Sequence, residues 1–350
     1  MMKRGTSLAE QMLDDFFSPS PKSFRSFREC YVAITGDKGI TGRVNECDAV
    51  RMREALDTSS WQEVLGSSIA RRLQQIYAGM TDLQAWRKVV KVGDVNDFRT
   101  QNLVSYGGYG NLPIVAQGGA YTPLTSPPDG NASYAVTKRG GLESVTLEMI
   151  KNDDVRAIKR IPEELALSAA NTLYEFVFGL FEANPAIYDG KALFHIDHNN
   201  LFSQPLSAVS WAAHSAAMAR QTRAGSAKPI GVRPELLLVP IELEETAYNL
   251  FVRAQNQDKT FNQVNKPEIV RVDSWLDATD WVAIADPVKY PVMEVGFLDG
   301  QEAPDLFSSD IPNGGNMFSN DKLTFKIRHM YGGAIAPYGE KGATKAVVAG

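Results

Sequence analysis

A segment rich in glycine, proline and small polar residues runs from residue 106 to residue 131. It contains Tyr106-Gly-Gly-Tyr-Gly110, Gly118-Gly119 and Pro127-Pro-Asp-Gly130. Tyrosine, valine, isoleucine and leucine are interspersed, whereas a flexible linker would lack such side chains. The composition therefore predicts an extended hairpin rather than a disordered linker.

The return strand of this hairpin is predicted from an alternating pattern. In residues 143–149 one face of a strand would carry Glu143, Val145, Leu147 and Met149, and the other face Ser144, Thr146 and Glu148. This period of two is typical of a strand. We therefore expect residues 106–148 to form a long two-stranded projection with a flexible tip.

The amino-terminal part of the chain predicts an arm followed by a hairpin. Residues 1–25, which include Ser18-Pro-Ser-Pro21, are expected to form a mobile arm. Residues 31–35 and 40–44 flank Gly36-Asp-Lys-Gly39, and this pattern predicts two strands joined by a turn in which glycine supplies a positive φ.

Four helices are predicted, and the longest runs from about residue 162 to residue 181, where apolar residues recur on one face at helical intervals. Pro162 suits its first turn, and Asn184-Pro185 is expected to end it. The other three predicted helices cover residues 61–77, which follow a Ser60-x-x-Glu63 capping-box spacing, residues 207–222 and residues 241–254.

The carboxy-terminal third is predicted to be rich in strands. The clearest is residues 323–331, where apolar and polar side chains alternate so that one face can be buried. No repeat of 20 to 50 residues is present, which excludes solenoids and propellers. The other predicted strands are residues 235–240, 268–272, 281–285 and 292–297.

The charge and the cysteine content exclude several classes of protein. The 36 lysines and arginines are outnumbered by 41 aspartates and glutamates, a net charge of −5, whereas dedicated nucleic-acid binders carry a basic excess. Cys30 and Cys47 are too few for a disulfide scaffold and are expected to be reduced thiols. Without a long apolar run or a signal-peptide pattern, the protein is expected to be soluble and made in the cytoplasm.

One short motif could bind a metal ion. His195, Asp197 and His198 lie within four residues and could ligate zinc or iron. The turn residues Asp189-Gly190 and Asn199-Asn200 flank them, so hydrogen bonds to the turn backbone are the favoured interpretation. The glycine-rich stretches lack phosphate-loop spacing, and no serine lies in a G-x-S-x-G elbow. We therefore predict no catalytic, cofactor-binding or metal-binding residue.

Several stretches, taken in order, resemble the major capsid proteins of tailed bacteriophages, including those encoded as the carboxy-terminal half of prohead-protease fusions. They span about residues 26–336. The main ones are Ser26-Phe-Arg-Glu-Cys-Tyr-Val-Ala-Ile-Thr-Gly-Asp37, Glu54-Ala-Leu-Asp-Thr-Ser-Ser-Trp61, Asp189-Gly-Lys-Ala-Leu-Phe-His195, Arg233-Pro-Glu-Leu-Leu-Leu-Val-Pro240 and Lys326-Ile-Arg-His-Met-Tyr-Gly-Gly-Ala334.

The resemblance implies an α+β fold of the Hong Kong 97 type. It implies a structural protein, without enzymatic activity, that self-assembles into hexamers and pentamers of an icosahedral shell around double-stranded DNA. Its expected partners are further copies of itself, with portal, scaffold, prohead protease and decoration proteins as possible others. The expected domains are an amino-terminal arm with helices (1–105), an extended loop (106–148), a peripheral domain with a long spine helix (149–234), an axial domain (235–318), and a return strand with a carboxy-terminal tail (319–350).

The predicted projection cannot bury its own apolar residues, so it should become stable when it lies across a neighbouring subunit. Lys138 and Arg139 form a basic pair that could touch a neighbour or DNA. The predicted contacts between subunits are Tyr109, Ile114, Val115, Tyr121, Leu124, Lys138 and Arg139.

Two other functions remain open from the sequence. A compartment of the same fold that holds cargo enzymes, similar to an encapsulin, would share these features. A metal-dependent enzyme would use His195, Asp197 and His198. Some relatives form crosslinks between a loop lysine and an asparagine, but no reacting pair is identified here and none is predicted.

Overall fold

The structure is a computed structural model that describes residues 7–18, 22, 24, 26–39, 47–48, 50, 61–152, 155–253, 266–308 and 322–348. The chain divides into two units. The first unit takes in Met1–Asp82, Lys138–Thr172 and Gln301–Met330, and the second takes in Leu83–Thr137, Leu173–Gly300 and Tyr331–Gly350.

The first unit is built on helices that share one apolar core. Phe16, Ile34, Leu65 and Phe325 are fully buried in it. Its described helices are α1 (Leu8–Phe17), α2 (Phe27–Thr35), α3 (Trp61–Gly79), α4 (Leu147–Lys151) and the first part of α5 (Val155–Ala183).

The prediction for residues 1–35 is wrong in two respects. Residues 8–17, which were expected in a mobile arm, form α1, capped by reciprocal hydrogen bonds between Ser7 and Glu10. Residues 31–35 belong to α2 and not to a strand, because buried side chains recur from Phe27 at helical spacing. Gly36 has a φ of 75° and ends this helix. The second predicted strand, residues 40–44, lies outside the described residues.

The long helix α5 confirms the prediction for residues 162–181, although it begins earlier. Pro162 lies inside the helix, so the carbonyl of Ile158 loses its usual N–H partner. Ile158 and Ile161 are buried in the core of the first unit, which favours helix on the amino-terminal side of the proline. Asn184, with a φ of 47°, follows the last helical residue as predicted.

The described strands of the first unit pair with β11 (Lys322–Ile335). β10 (Asp305–Ser308) is antiparallel to it, with Asp305 opposite Arg328. β4 (Thr137–Thr146) also pairs with β11. Gly140 is needed in β4 because a side chain there would collide with the carbonyl oxygen of Ile327.

The second unit contains two described sheets besides a hairpin. In one, β1 (Lys91–Val95) is parallel to β9 (Met293–Leu298), and β9 is antiparallel to the end of β11. The other has the order β5 (Leu201–Phe202), β12 (Ala343–Ala346), β8 (Trp281–Ile284), β6 (Leu236–Val239) and β7 (Glu268–Arg271).

Helices α6 (Ala208–Arg220) and α7 (Glu244–Phe251) complete the second unit. Both confirm predicted helices, and the predicted strands of the carboxy-terminal third are also present. Among the described residues, no helix is both long enough and apolar enough to span a membrane.

The predicted hairpin exists, but its strands differ from the prediction. β2 (Gln101–Tyr106) pairs with β3 (Asp129–Tyr134) in an antiparallel register that places Tyr106 opposite Asp129. Residues 143–149, predicted as the return strand, instead lie in β4 and α4. Alternation indicates which face of a strand is buried but not which strand is its neighbour, so the sequence did not reveal the pairing of β4 with β11.

Candidate assembly interface

The loop that joins β2 to β3, residues 107–128, is anchored at both ends. The Gly107 N–H donates to the Pro128 carbonyl at 3.0 Å, and the Gly108 N–H donates to the Ala224 carbonyl at 2.9 Å. The Tyr338 hydroxyl also donates to the Pro128 carbonyl, at 2.9 Å. The loop therefore begins and ends at a fixed base within the second unit.

Glycine is required where the two ends of the loop approach residues 223–226. A side chain at Gly107 would collide with the carbonyl oxygens of Ala224 and Pro128. Gly225 has a φ of 79°, and a side chain there would come within 2.8 Å of the Pro128 ring. These close approaches explain part of the glycine content that marks this segment in the sequence.

Beyond its base, the loop exposes large apolar side chains. Ile114 is 100% exposed, Tyr121 88% and Leu112 76%. Tyr109 and Leu124 are also exposed, while Val115 is half-buried. A set of exposed apolar side chains on one segment is typical of a surface that contacts another protein.

The structure separates the predicted contact residues into two groups. Tyr109, Ile114, Val115, Tyr121 and Leu124 lie in the 107–128 loop. Lys138, which is exposed, and Arg139, which is half-buried, lie instead on β4 in the first unit. The sequence analysis did not include Leu112 and Tyr106 among the contact residues, although they are 76% and 72% exposed. Both are large apolar residues within the glycine-rich segment, which is the same pattern that identified the other loop residues.

The polar side chains of residues 189–198 hydrogen-bond within their own turn. The His195 Nδ1 accepts from the Asp197 N–H at 3.2 Å, and the His198 Nε2 lies 2.8 Å from the Asp189 carboxylate. Lys191 donates to Asp197 at 2.7 Å, a hydrogen bond that lowers the pKa of this carboxyl group. In the part of the chain that the structure describes, no group of three or more histidine, cysteine, aspartate or glutamate side chains could hold a metal ion.

The buried Asn200 fastens this turn to the carboxy-terminal part of the second unit. Its side chain accepts from the His195 N–H at 2.9 Å and donates to the Leu193 and Glu340 carbonyls at 2.8 and 3.0 Å. Glu340 is itself buried and accepts from the Tyr188 hydroxyl at 3.0 Å, and burial raises the pKa of its carboxyl group. The contacts of this motif are those of a structural turn.

Comparison with protein families bears on the functions that the sequence left open. The model of a family described as "Phage capsid protein" matches residues 130–346, which is more than half of the chain. The chain belongs to the phage capsid protein family. Comparison of this capsid protein with curated protein sequences gives no match.

Solved structures with a similar fold include phage structures and the capsid of a particle named GTA. A structure titled "Mycobacterium phage Adephagia" has a TM-score of 0.51 and 13% identity, and covers 77% of this capsid protein and 90% of that chain. One titled "Capsid of empty GTA particle computed with C5 symmetry" has a TM-score of 0.51, 8% identity and the same coverage. At these identities the similarity shows the fold alone.

The predicted fold class and function are confirmed. This is a major capsid protein with an α+β fold of the Hong Kong 97 type, and its role in the virion is structural. The alternatives, a cargo compartment or a metal-dependent enzyme, are not better supported.

Proposed function

We propose that this capsid protein has no enzymatic activity and self-assembles into hexameric and pentameric capsomers of an icosahedral shell around the phage double-stranded DNA. In each subunit the 107–128 loop lies across a neighbour. The observation that carries the proposal is the set of apolar side chains that this loop exposes, led by Ile114, Tyr121 and Leu112.

Burial of these side chains against a neighbour would supply the energy of assembly. Removing apolar surface from water stabilises by about 25 cal/mol per Å², or about 1.5–3 kcal/mol for one large side chain. Obligate assemblies bury roughly 2,000 Å² or more per interface. Each contact can be weak, because every subunit of the shell repeats it.

The loop is also suited to this role by its backbone. Its base is held by the hydrogen bonds of Gly107 and Gly108, whereas residues 109–126 lie in no strand or helix. Two strands alone are marginally stable in water, so a neighbouring surface would order and support the segment.

The remaining parts of the chain take the roles that the fold implies. Residues 1–105 form the arm with its helices, 149–234 the peripheral domain with α5 as its spine, 235–318 the axial domain and 319–350 the return strand and tail. We expect assembly in the host cytoplasm, with portal, scaffold, prohead protease and decoration proteins as further partners. Because the net charge is −5, the shell should enclose DNA without gripping it tightly.

Deletion of residues 110–125, with a short Gly-Ser linker in their place, tests the proposal. The deletion keeps both ends of the loop, and it spares Gly130, which packs against Pro337 and Tyr338. We expect the melting temperature of the isolated subunit to change little, because these side chains lie outside its core. Electron microscopy and sedimentation should show few or no shells.

Leu276→Ser is the matched control, because Leu276 is 93% exposed and lies outside the loop. It should assemble as the wild type does. A deletion variant that unfolds would place the loop in the core of the subunit, and normal shells from that variant would remove the loop from assembly.

A further inference from the structure

A cavity of about 270 Å³ lies at the base of the 107–128 loop. Every residue that lines it belongs to the second unit, and none of them is acidic. The side chains that matter here are Tyr106, Arg223, Lys289, Tyr290, Tyr338 and Lys341. We refer to this site as the basic pocket.

The basic pocket holds positive charge that is only partly neutralised. Lys289 forms ion pairs with Asp286 at 3.0 Å and with Glu235 at 3.9 Å. Lys341 donates to the uncharged carbonyl of Thr222. Arg223 is exposed and forms no ion pair with any residue that the structure describes.

The walls of the basic pocket are aromatic and apolar. Tyr106 is 72% exposed, and the Lys341 Nζ lies 5.8 Å from the centre of the Tyr338 ring. A guanidinium binds a carboxylate through two parallel hydrogen bonds, and tyrosine rings pack against aliphatic or aromatic side chains. The pocket therefore suits a carboxylate with a large apolar neighbour.

The outer face of α7 presents this combination. Glu245 and Tyr248 lie on α7, Ile241 lies in the short 3-10 helix Ile241–Leu243 before it, and Val252 follows its last residue. These four residues recur at a helical spacing and are all exposed, the three apolar ones by 50–55%. The opposite face buries Ala247, Leu250 and Phe251 in the core. We refer to the exposed set as the α7 stripe.

Of the three glutamates at the α7 stripe, Glu242, Glu244 and Glu245, two have no counter-ion among the described residues. Glu244 is bound by Arg271 at 3.2 Å. Glu242 and Glu245 are exposed and form no ion pair within the described parts of the chain. The stripe is thus negative where the basic pocket is positive.

We propose that the basic pocket of one subunit receives the α7 stripe of a second copy of the chain, with Glu245 on Arg223 and Tyr248 against the tyrosine walls. The inference rests on the proposed function and names a second contact between subunits, at the base of the loop and outside the deleted residues 110–125. Because the pocket and the stripe are different surfaces of one chain, the contact is head-to-tail and can close into a ring.

Charge reversal tests this pairing. Arg223→Glu and Glu245→Arg should each lower the yield of capsomers at least tenfold, while circular dichroism remains that of the wild type. The double variant should recover most of the yield, because its charges are complementary again. Lys228→Glu is the matched control: Lys228 is exposed on the same segment as Arg223 but does not line the pocket.

A mixture of the two single variants gives a sharper test. The pocket of each variant matches the stripe of the other, so alternating subunits should form even-membered rings and not five-membered ones. Recovery in the mixture supports the pairing. If the double variant stays defective, or if only Arg223→Glu impairs assembly, the α7 stripe is not the occupant.

The loop deletion separates this inference from the proposed function. If both charge variants assemble like the wild type while the loop deletion does not, the pairing is wrong and the proposed function stands. If the loop deletion assembles normally, it is the proposed role of the loop that fails.

Discussion

His214 is held in an apolar environment inside the second unit. Its ring packs against the rings of Phe202 and Trp281, whose centroids each lie 4.1 Å from its own, and its Nδ1 is 2.9 Å from the Thr344 hydroxyl. Burial lowers the pKa of His214 from 6.5 to about 3. The imidazole is therefore neutral throughout the physiological range.

This histidine predicts a loss of stability in acid. The unfolded chain takes up a proton near pH 6.5, whereas the folded chain does not until about pH 3. Stability from this group is thus fully present above pH 6.5 and falls as the pH drops, by about 2 kcal/mol at pH 5. Thermal melts of the wild type and of His214→Phe should show a smaller drop between pH 7.5 and pH 5 in the variant, and an equal drop would contradict the assignment.

Among the elements, α1 offers the clearest test of the first unit. Phe16 is fully buried beside Phe27 and Phe17, whereas Leu8 at the start of the same helix is 50% exposed. Arg71 on α3 also binds Asp14 of α1 at 3.0 Å. We expect Phe16→Ala to lower the free energy of unfolding by about 3–5 kcal/mol and Leu8→Ala to change it little. Chemical denaturation measures both, and equal small effects would show that α1 is not part of the core.

Which elements the sequence predicted depends on their length. The helices α3, α5 and α6 are long enough for the apolar period to be unambiguous, and the caps at Ser207 and Asn184 limit two of them. Residues 31–35 of α2 are too few to distinguish a strand from a helix. The helical spacing of the buried residues becomes visible only when the pattern is followed back to Phe27. The pairing of β4 with β11 joins residues far apart in the chain, which a local pattern does not indicate.

The two candidate contact surfaces also differ in how far the sequence alone could predict them. The apolar residues of the 107–128 loop stand out in the sequence because they interrupt a glycine-rich segment. The basic pocket does not, since its side chains come from four separate stretches of the chain, represented by Tyr106, Arg223, Lys289, and Tyr338 with Lys341. Only the fold places these side chains around one cavity.

At the scale of the whole molecule, two kinds of contact would join each subunit to its neighbours. The loop would supply apolar burial, and the basic pocket with the α7 stripe would supply charge pairing and the direction of the ring. Since neither requires nucleic acid, and the net charge is −5, assembly should depend little on DNA.

Electron microscopy of the purified, nuclease-treated protein tests the central claim most directly. The protein should form closed icosahedral shells built from six- and five-membered rings, in which each 107–128 loop lies on a neighbouring subunit. Protein that stays monomeric at every concentration, or that forms particles only when nucleic acid is present, would contradict the account.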